Sequence, residues 1–170
     1  TTGISGNALS FDGSNDKITI PDSDSLDVND GLTVEAWINA SSFQGNGGNN
    51  GNSIVSKFKS SLVGQYHLKA YTGGSLGFVI ANGISSDKLL VTNVLNTNTW
   101  YHILGMWNGT VIRLYVNGKL VGEKNTLIKS LLQSEYTGDS VDIGYQQGGA
   151  APFWYFDGKI DEVRILNISL

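Results

Sequence analysis

The chain is predicted to be all-β, an antiparallel sandwich or barrel, from three observations. Short apolar alternations recur from end to end, turn-forming residues separate them, and helix-favouring surface residues are scarce. Of 170 residues, 22 are Gly and only 15% are charged, against roughly 25% charged in an average soluble protein. Asn, Ser and Thr fill the deficit, and these residues favour turns and strand faces over helix interiors. The length suits one domain with a continuous core, and 40% hydrophobic residues are too many for a disordered polymer. No apolar run approaches the ~18 residues of a membrane-spanning helix, so membrane insertion is not expected.

About a dozen segments carry the strand pattern. Ala8–Phe11 and Lys17–Ile20 flank a polar turn, and Leu32–Ile38 alternates Val34, Ala36 and Ile38 with Thr33, Glu35 and Trp37. The Gly/Asn tract from Gly45 to Asn52 reads as a surface loop, because strand patterns continue on both sides of it. Ser53–Lys57, Tyr66–Ala70, Gly77–Ala81 and Lys88–Thr92 follow as short runs between Gly, Asn and Asp. Trp100–Trp107, Val111–Val116 and Lys119–Glu123 are joined by Asn108-Gly109 and Asn117-Gly118, pairs that tolerate the positive φ of a type I′ hairpin turn. From Asn125 to Tyr136 the pattern suits either a helical turn carrying Leu127, Ile128, Leu131 and Leu132 or a packed loop. Ser140–Tyr145 and Lys159–Leu166 complete the series, and no internal repeat or domain boundary is visible across 1–170.

Charge and cysteine content narrow the function classes. A net charge of -4 without a local Lys/Arg cluster argues against nucleic acid as a partner. Zero Cys excludes disulfides, thiol catalysis and Cys-based metal sites. The chain opens at Thr1-Thr2-Gly3 without Met or a leader, which reads as a module cut from a longer protein.

Six segments together resemble the laminin-G-like, concanavalin A-like domains: Asn7–Gly13 (NALSFDG), Asn15–Pro21 (NDKITIP), Leu32–Ile38 (LTVEAWI), Thr99–Ile103 (TWYHI), Ile112–Lys119 (IRLYVNGK) and Phe156–Ile165 (FDGKIDEVRI). They stand in the family's order and span nearly the whole chain. The resemblance implies a jelly roll, a β-sandwich of two curved antiparallel sheets, often with a structural calcium ion at one end. It also implies a secreted or cell-surface setting beside other domains of a parent protein, but no single ligand.

Three carboxylates are candidate calcium ligands. By strand parity Asp161 shares a face with Val163 and Ile165, opposite Glu162 and Arg164, and so points inward; Asp16 aligns in the same way with Ile18 and Ile20. With Asp12 in the adjoining turn, these oxygen donors suit Ca2+, pinning the first and last strands together. The alternative is that Asp12 and Asp16 bond turn N–H groups and that Asp161 caps a backbone edge.

A catalytic role is not expected. Glycanases of the resembled family place two carboxylates at alternating positions on one strand, and Glu35, Glu123, Glu135 and Glu162 never form a Glu-x-Asp-x-x-Glu run. His67 and His102 lie on strand patterns without a nucleophile elbow or zinc-binding motif, so both read as sheet residues.

Binding is the better class. Sugar rings stack C–H patches on aromatic faces while their hydroxyls need amide or backbone partners. The segment from Tyr145 to Tyr155 combines Gln146, small residues, Trp154 and Tyr155, and Tyr71 and Tyr136 each adjoin Thr-Gly. Trp154, Tyr155, Gln146, Tyr136 and Tyr71 are therefore the candidate contacts for a glycan or cell-surface polysaccharide. The alternative for these residues is that Phe153 and Tyr155 plug the end of the sandwich and Trp154 packs beneath a neighbouring loop; the rival function is a protein-contact, adhesion or spacer module without a glycan pocket. Trp37, by parity with Thr33 and Glu35, faces an open sheet surface; with Trp100 and Trp107 it is assigned mainly to structure.

Overall fold

The computed structural model describes residues 1–44, 51–58, 64–131, 139–146 and 154–170. Fourteen strands run in the order β1 (Leu9–Asp12), β2 (Ile18–Ile20), β3 (Leu32–Ala40), β4 (Asn52–Phe58), β5 (Gly64–Tyr71), β6 (Ser75–Ala81), β7 (Ser86–Val91), β8 (Tyr101–Trp107), β9 (Val111–Val116), β10 (Lys119–Asn125), β11 (Val141–Ile143), β12 (Tyr145–Gln146), β13 (Trp154–Tyr155) and β14 (Asp157–Leu166). The first sheet is ordered β1-β14-β3-β8-β9-β10 and the second β2-β11-β4-β5-β6-β7, each six strands wide and antiparallel throughout. This is the expected all-β sandwich, with the chain's first and last strands as neighbours.

Alternation decides which face of each strand enters the core. Val34, Ala36 and Ile38 from β3 meet Tyr66, Leu68 and Ala70 from β5 and Leu76, Phe78 and Ile80 from β6, all buried. Full burial of a ring such as Phe78 contributes about 2–3 kcal/mol. Gly105 of β8 lets the sheets close on that ring: a Cβ there would lie 2.6 Å from Phe78 ring atoms. Trp107 is fully buried and donates its indole N–H to the Ile128 carbonyl at 3.2 Å. Residues 126–131 form no helix; they make a packed loop in which Ile128 and Leu131 are buried and Leu127 is exposed. Leu132 and Tyr136 lie outside the described residues.

The Asn117-Gly118 hairpin forms as expected, both residues at positive φ. The Asn108-Gly109 turn differs. Only Gly109 takes positive φ there, and the Asn108 carboxamide oxygen instead accepts from the Thr110 and Val111 N–H groups, an Asx-type turn.

A bulge in β14 overturns the inward placement of Asp161. Asp161 pairs with Trp37 and Arg164 with Glu35, so Glu162 and Val163 together face the single residue Ala36, with Glu162 at φ 48°. The extra residue flips the parity. Ile160, Val163 and Ile165 pack on the core, while Asp161 and Arg164 share the outer face with Trp37 and Glu35.

One end of the second sheet is fastened by charge. Lys57, 1% exposed, places its ammonium 2.9 Å from an Asp22 carboxylate oxygen and 2.6 Å from one of Asp27. Tyr66 donates to the Leu26 carbonyl of the adjoining 3-10 turn, Asp24–Leu26. Burial, followed by the charges of Asp27 and Asp22, pushes the Tyr66 hydroxyl pKa well up.

Candidate functional site

Because Tyr66, Leu68 and Ala70 enter the core, the alternate residues His67, Lys69 and Tyr71 line the outer face of the second sheet. The ladder sets Lys69 between Ser53 of β4 and Gly77 of β6, and Gly77 opposite Leu90 of β7. Gly77 leaves the space that the Tyr71 ring occupies; a Cβ there would stand 2.5 Å from Tyr71 Cε2. The aromatic loop returns over this face as a ribbon in which Tyr145 pairs with Tyr155 and Gln146 with Trp154.

The ribbon brings Trp154 and Tyr71 to one cation. Lys69 Nζ lies 4.0 Å from the Trp154 ring centroid and 5.1 Å from that of Tyr71, while Lys88 Nζ approaches the same tyrosine at 5.3 Å. On the same ribbon the Tyr145 and Tyr155 rings lie 4.7 Å apart, with Lys17 Nζ 4.7 Å from the Tyr145 centroid. Trp154, Tyr155 and Tyr71 are each half-buried, as suits rings with one face packed and one edge open.

Two groups on this face are electrostatically perturbed. Burial, and secondarily the Lys88 charge, lowers the Lys69 ammonium to about 7. His67 is driven well below the usual imidazole range by burial and then by Lys69. Its Nε2 lies 3.1 Å from Ser53 Oγ, whose one proton goes to the Tyr145 carbonyl. Nε2 therefore carries the imidazole proton and donates. His67 also stacks on Phe58. It is a neutral spacer that ties β4, β5 and the ribbon together.

Of the expected ligand contacts, Trp154 and Tyr71 meet on this face, whereas Tyr155 packs its ring on Tyr145. Gln146 is buried in register with Trp154, a packing position. Tyr136 lies outside the described residues. Lys69 and Lys88 were missed, although period-two alternation alone links Lys69 to Tyr71.

The acidic residues are arranged differently. Asp12 Oδ1 accepts from the Ser14 and Asn15 N–H groups, which hold its carboxyl below the usual range. Asp16 Oδ2 accepts from the Asp12 N–H at 3.0 Å. Asp161 Oδ2 accepts from Ile4 and Ser5, fastening the N-terminal segment, and its Oδ1 accepts from Glu162 N–H. On the β1–β14 ladder Leu9 faces Ile160 and Asp12 faces Asp157. Asp161 and Asp157 are therefore about four strand steps apart, ~13 Å, too far for Asp12 and Asp161 to share one ion. Among the described residues no group of three or more Asp, Glu, His or Cys side chains is placed to hold a metal. As a set, these three carboxylates do not fit a shared calcium site.

The first sheet's outer face carries a closed polar network. Glu35 accepts from Arg164 Nη1 at 3.1 Å and meets His102 Nε2 at 3.1 Å, while Trp37 packs against His102. Trp37 thus faces outward as parity indicated. On the same sheet Glu123 is bound to Arg113.

A family model described as the concanavalin A-like lectin/glucanases superfamily matches residues 12–170. No curated protein sequence matches the chain. Among solved structures, the fold is similar to the CBM40 of the Ruminococcus gnavus IT-sialidase bound to α2,3 sialyllactose, at TM-score 0.71 and 15% identity over 96% of this chain and 92% of that one. It is also similar to domain 4 of a GH43 extracellular arabinanase from Geobacillus stearothermophilus in complex with arabinotriose, at TM-score 0.68 and 17% identity over 99% and 74% of the two chains. Domains LG4-5 of the mouse laminin α1 chain align at TM-score 0.64 and 14% identity, over 94% of this chain and 39% of that one. No helix among the described residues is long and apolar enough to cross a membrane.

Proposed function

This chain belongs to the concanavalin A-like lectin/glucanases superfamily, and from that premise we propose that it is a non-catalytic carbohydrate-binding module of a larger secreted or cell-surface protein. The observation that carries the reading is the convergence of Trp154 and Tyr71, remote in sequence, on one outer sheet face around Lys69. Half-buried rings of this kind offer the C–H stacking surface a pyranose or furanose needs, and the adjacent Ser53, His67 and ribbon backbone fix the rings in place. Similar folds that hold sialyllactose and arabinotriose support the class of ligand, though not its identity.

A glycan array followed by calorimetry tests the reading. Trp154→Ala is expected to weaken the best hit at least about tenfold, the usual loss for a central aromatic anchor. Broad silence on the array would favour a protein-contact module instead.

A further inference from the structure

Resting on the carbohydrate-binding reading, we propose that the ligand of this face is acidic: a sugar carrying a carboxylate or sulfate ester that docks between Lys69 and Lys88 against the rings of Trp154 and Tyr71. Lys69 is 3% exposed, yet among the described residues its ammonium meets no carboxylate and no hydrogen-bond acceptor. A largely desolvated cation without an anion is a costly arrangement, and two aromatic faces offset only part of that cost. A second ammonium, Lys88, shares the Tyr71 ring and adds like-charge repulsion.

Among the described residues, the groups set around Lys69 do not relieve this imbalance. On β5 itself His67 is neutral and Tyr71 is a phenol whose ionisation burial pushes upward. From β4 the neighbour is Ser53, from β6 Gly77, and from the ribbon Trp154, whose indole N–H is a buried donor without an acceptor among the described residues. On β7 the carboxylate of Asp87 is opposite Ile80, whose side chain enters the core, and it is already engaged by Lys124. Among the described residues the face therefore presents two ammonium groups and stacking surface, with no acidic side chain beside them. An anionic oxygen supplied by a ligand completes it. Docking also draws a proton onto Lys69, so affinity for acidic probes falls as pH rises through the neutral range.

The test is calorimetry at pH 6 and pH 9 on matched probes: lactose against sialyllactose, galactotriose against trigalacturonate, and agarotetraose against its sulfated counterpart. At pH 6 an acidic member is expected to bind at least roughly tenfold more tightly than its neutral partner, and the carboxylate and sulfate pairs tell which anion is preferred. Lys69→Met, and separately the exposed Lys88→Gln, collapse that preference; the second variant keeps the test valid if the first misfolds. Equal affinity for neutral and acidic partners, or a preference that survives both substitutions, overturns the proposal while leaving a sugar-binding module. Silence toward every probe overturns both.

Discussion

Replacing Lys69 by Met isolates the consequence of burying an ammonium beside another ammonium. The side chain is 3% exposed and titrates at about 7, against an ordinary 10.5. Between these two values the unfolded chain holds the proton and the folded chain does not, so the lysine's penalty is full below pH 7 and fades as pH rises toward 10.5. At about 1.4 kcal/mol per unit, the wild-type fold gains about 2–3 kcal/mol relative to Lys69→Met between pH 6 and pH 9. For a chain of this length that is a relative rise of roughly 5–10 °C in melting temperature. Thermal or urea unfolding of both proteins at pH 6, 7, 8 and 9 measures it, and the difference between them cancels the other groups that titrate in this range. Met is expected to be the more stable residue at pH 6, with its advantage shrinking upward. A difference that stays flat across the series would mean that the ammonium is solvated, and the reasoning about this face would fail with it.

Three further outcomes test other parts of the molecule. Gly105→Ala drives a Cβ into the Phe78 ring and is expected to destabilise by about 1–3 kcal/mol in urea unfolding; a neutral result would show that the sheets separate freely. Replacing Asp22 and Asp27 together by Asn strips the buried Lys57 of both partners, with an expected loss of about 3–5 kcal/mol; a loss under ~1 kcal/mol would mean that the lysine escapes to water. Because Asp12, Asp16 and Asp161 already accept backbone N–H groups, calcium added to chelator-stripped protein is expected to leave the melting temperature unchanged. A rise of several degrees, abolished by Asp16→Asn, would establish an ion at that turn.

The architecture was legible because burial follows side-chain alternation. Val34, Ala36 and Ile38 point inward and Trp37 outward, as period two dictates, and Asn117-Gly118 turns as its residues require. The β14 bulge was not legible. Bulges are commonly signalled by Gly, but here Glu162 takes the positive φ, so nothing in the local sequence warned that the parity of Asp161 would break. The ribbon was half visible: its aromatics stand out in the sequence, whereas the two-residue pairing that aims Trp154 at β5 depends on tertiary contact. Alternation sets His67 and Lys69 on the outer face but does not show that both are buried there, which tertiary contact decides.

The two buried lysines of the second sheet separate structure from function more sharply than any motif does. Lys57 and Lys69 lie on adjacent strands and are almost equally inaccessible. Lys57 sits within hydrogen-bond reach of two carboxylates and fastens a loop, so its burial is explained by the fold alone. Lys69 has aromatic faces and a like charge for company, and a methionine would fill its place with less electrostatic strain. Local violations of packing logic belong at functional sites, where stability is given up for an interaction completed from outside. The same comparison separates the two half-exposed tryptophan surfaces: Trp37 adjoins a network in which Glu35 is matched by Arg164 and His102, whereas Trp154 adjoins a cation that has no counter-charge among the described residues.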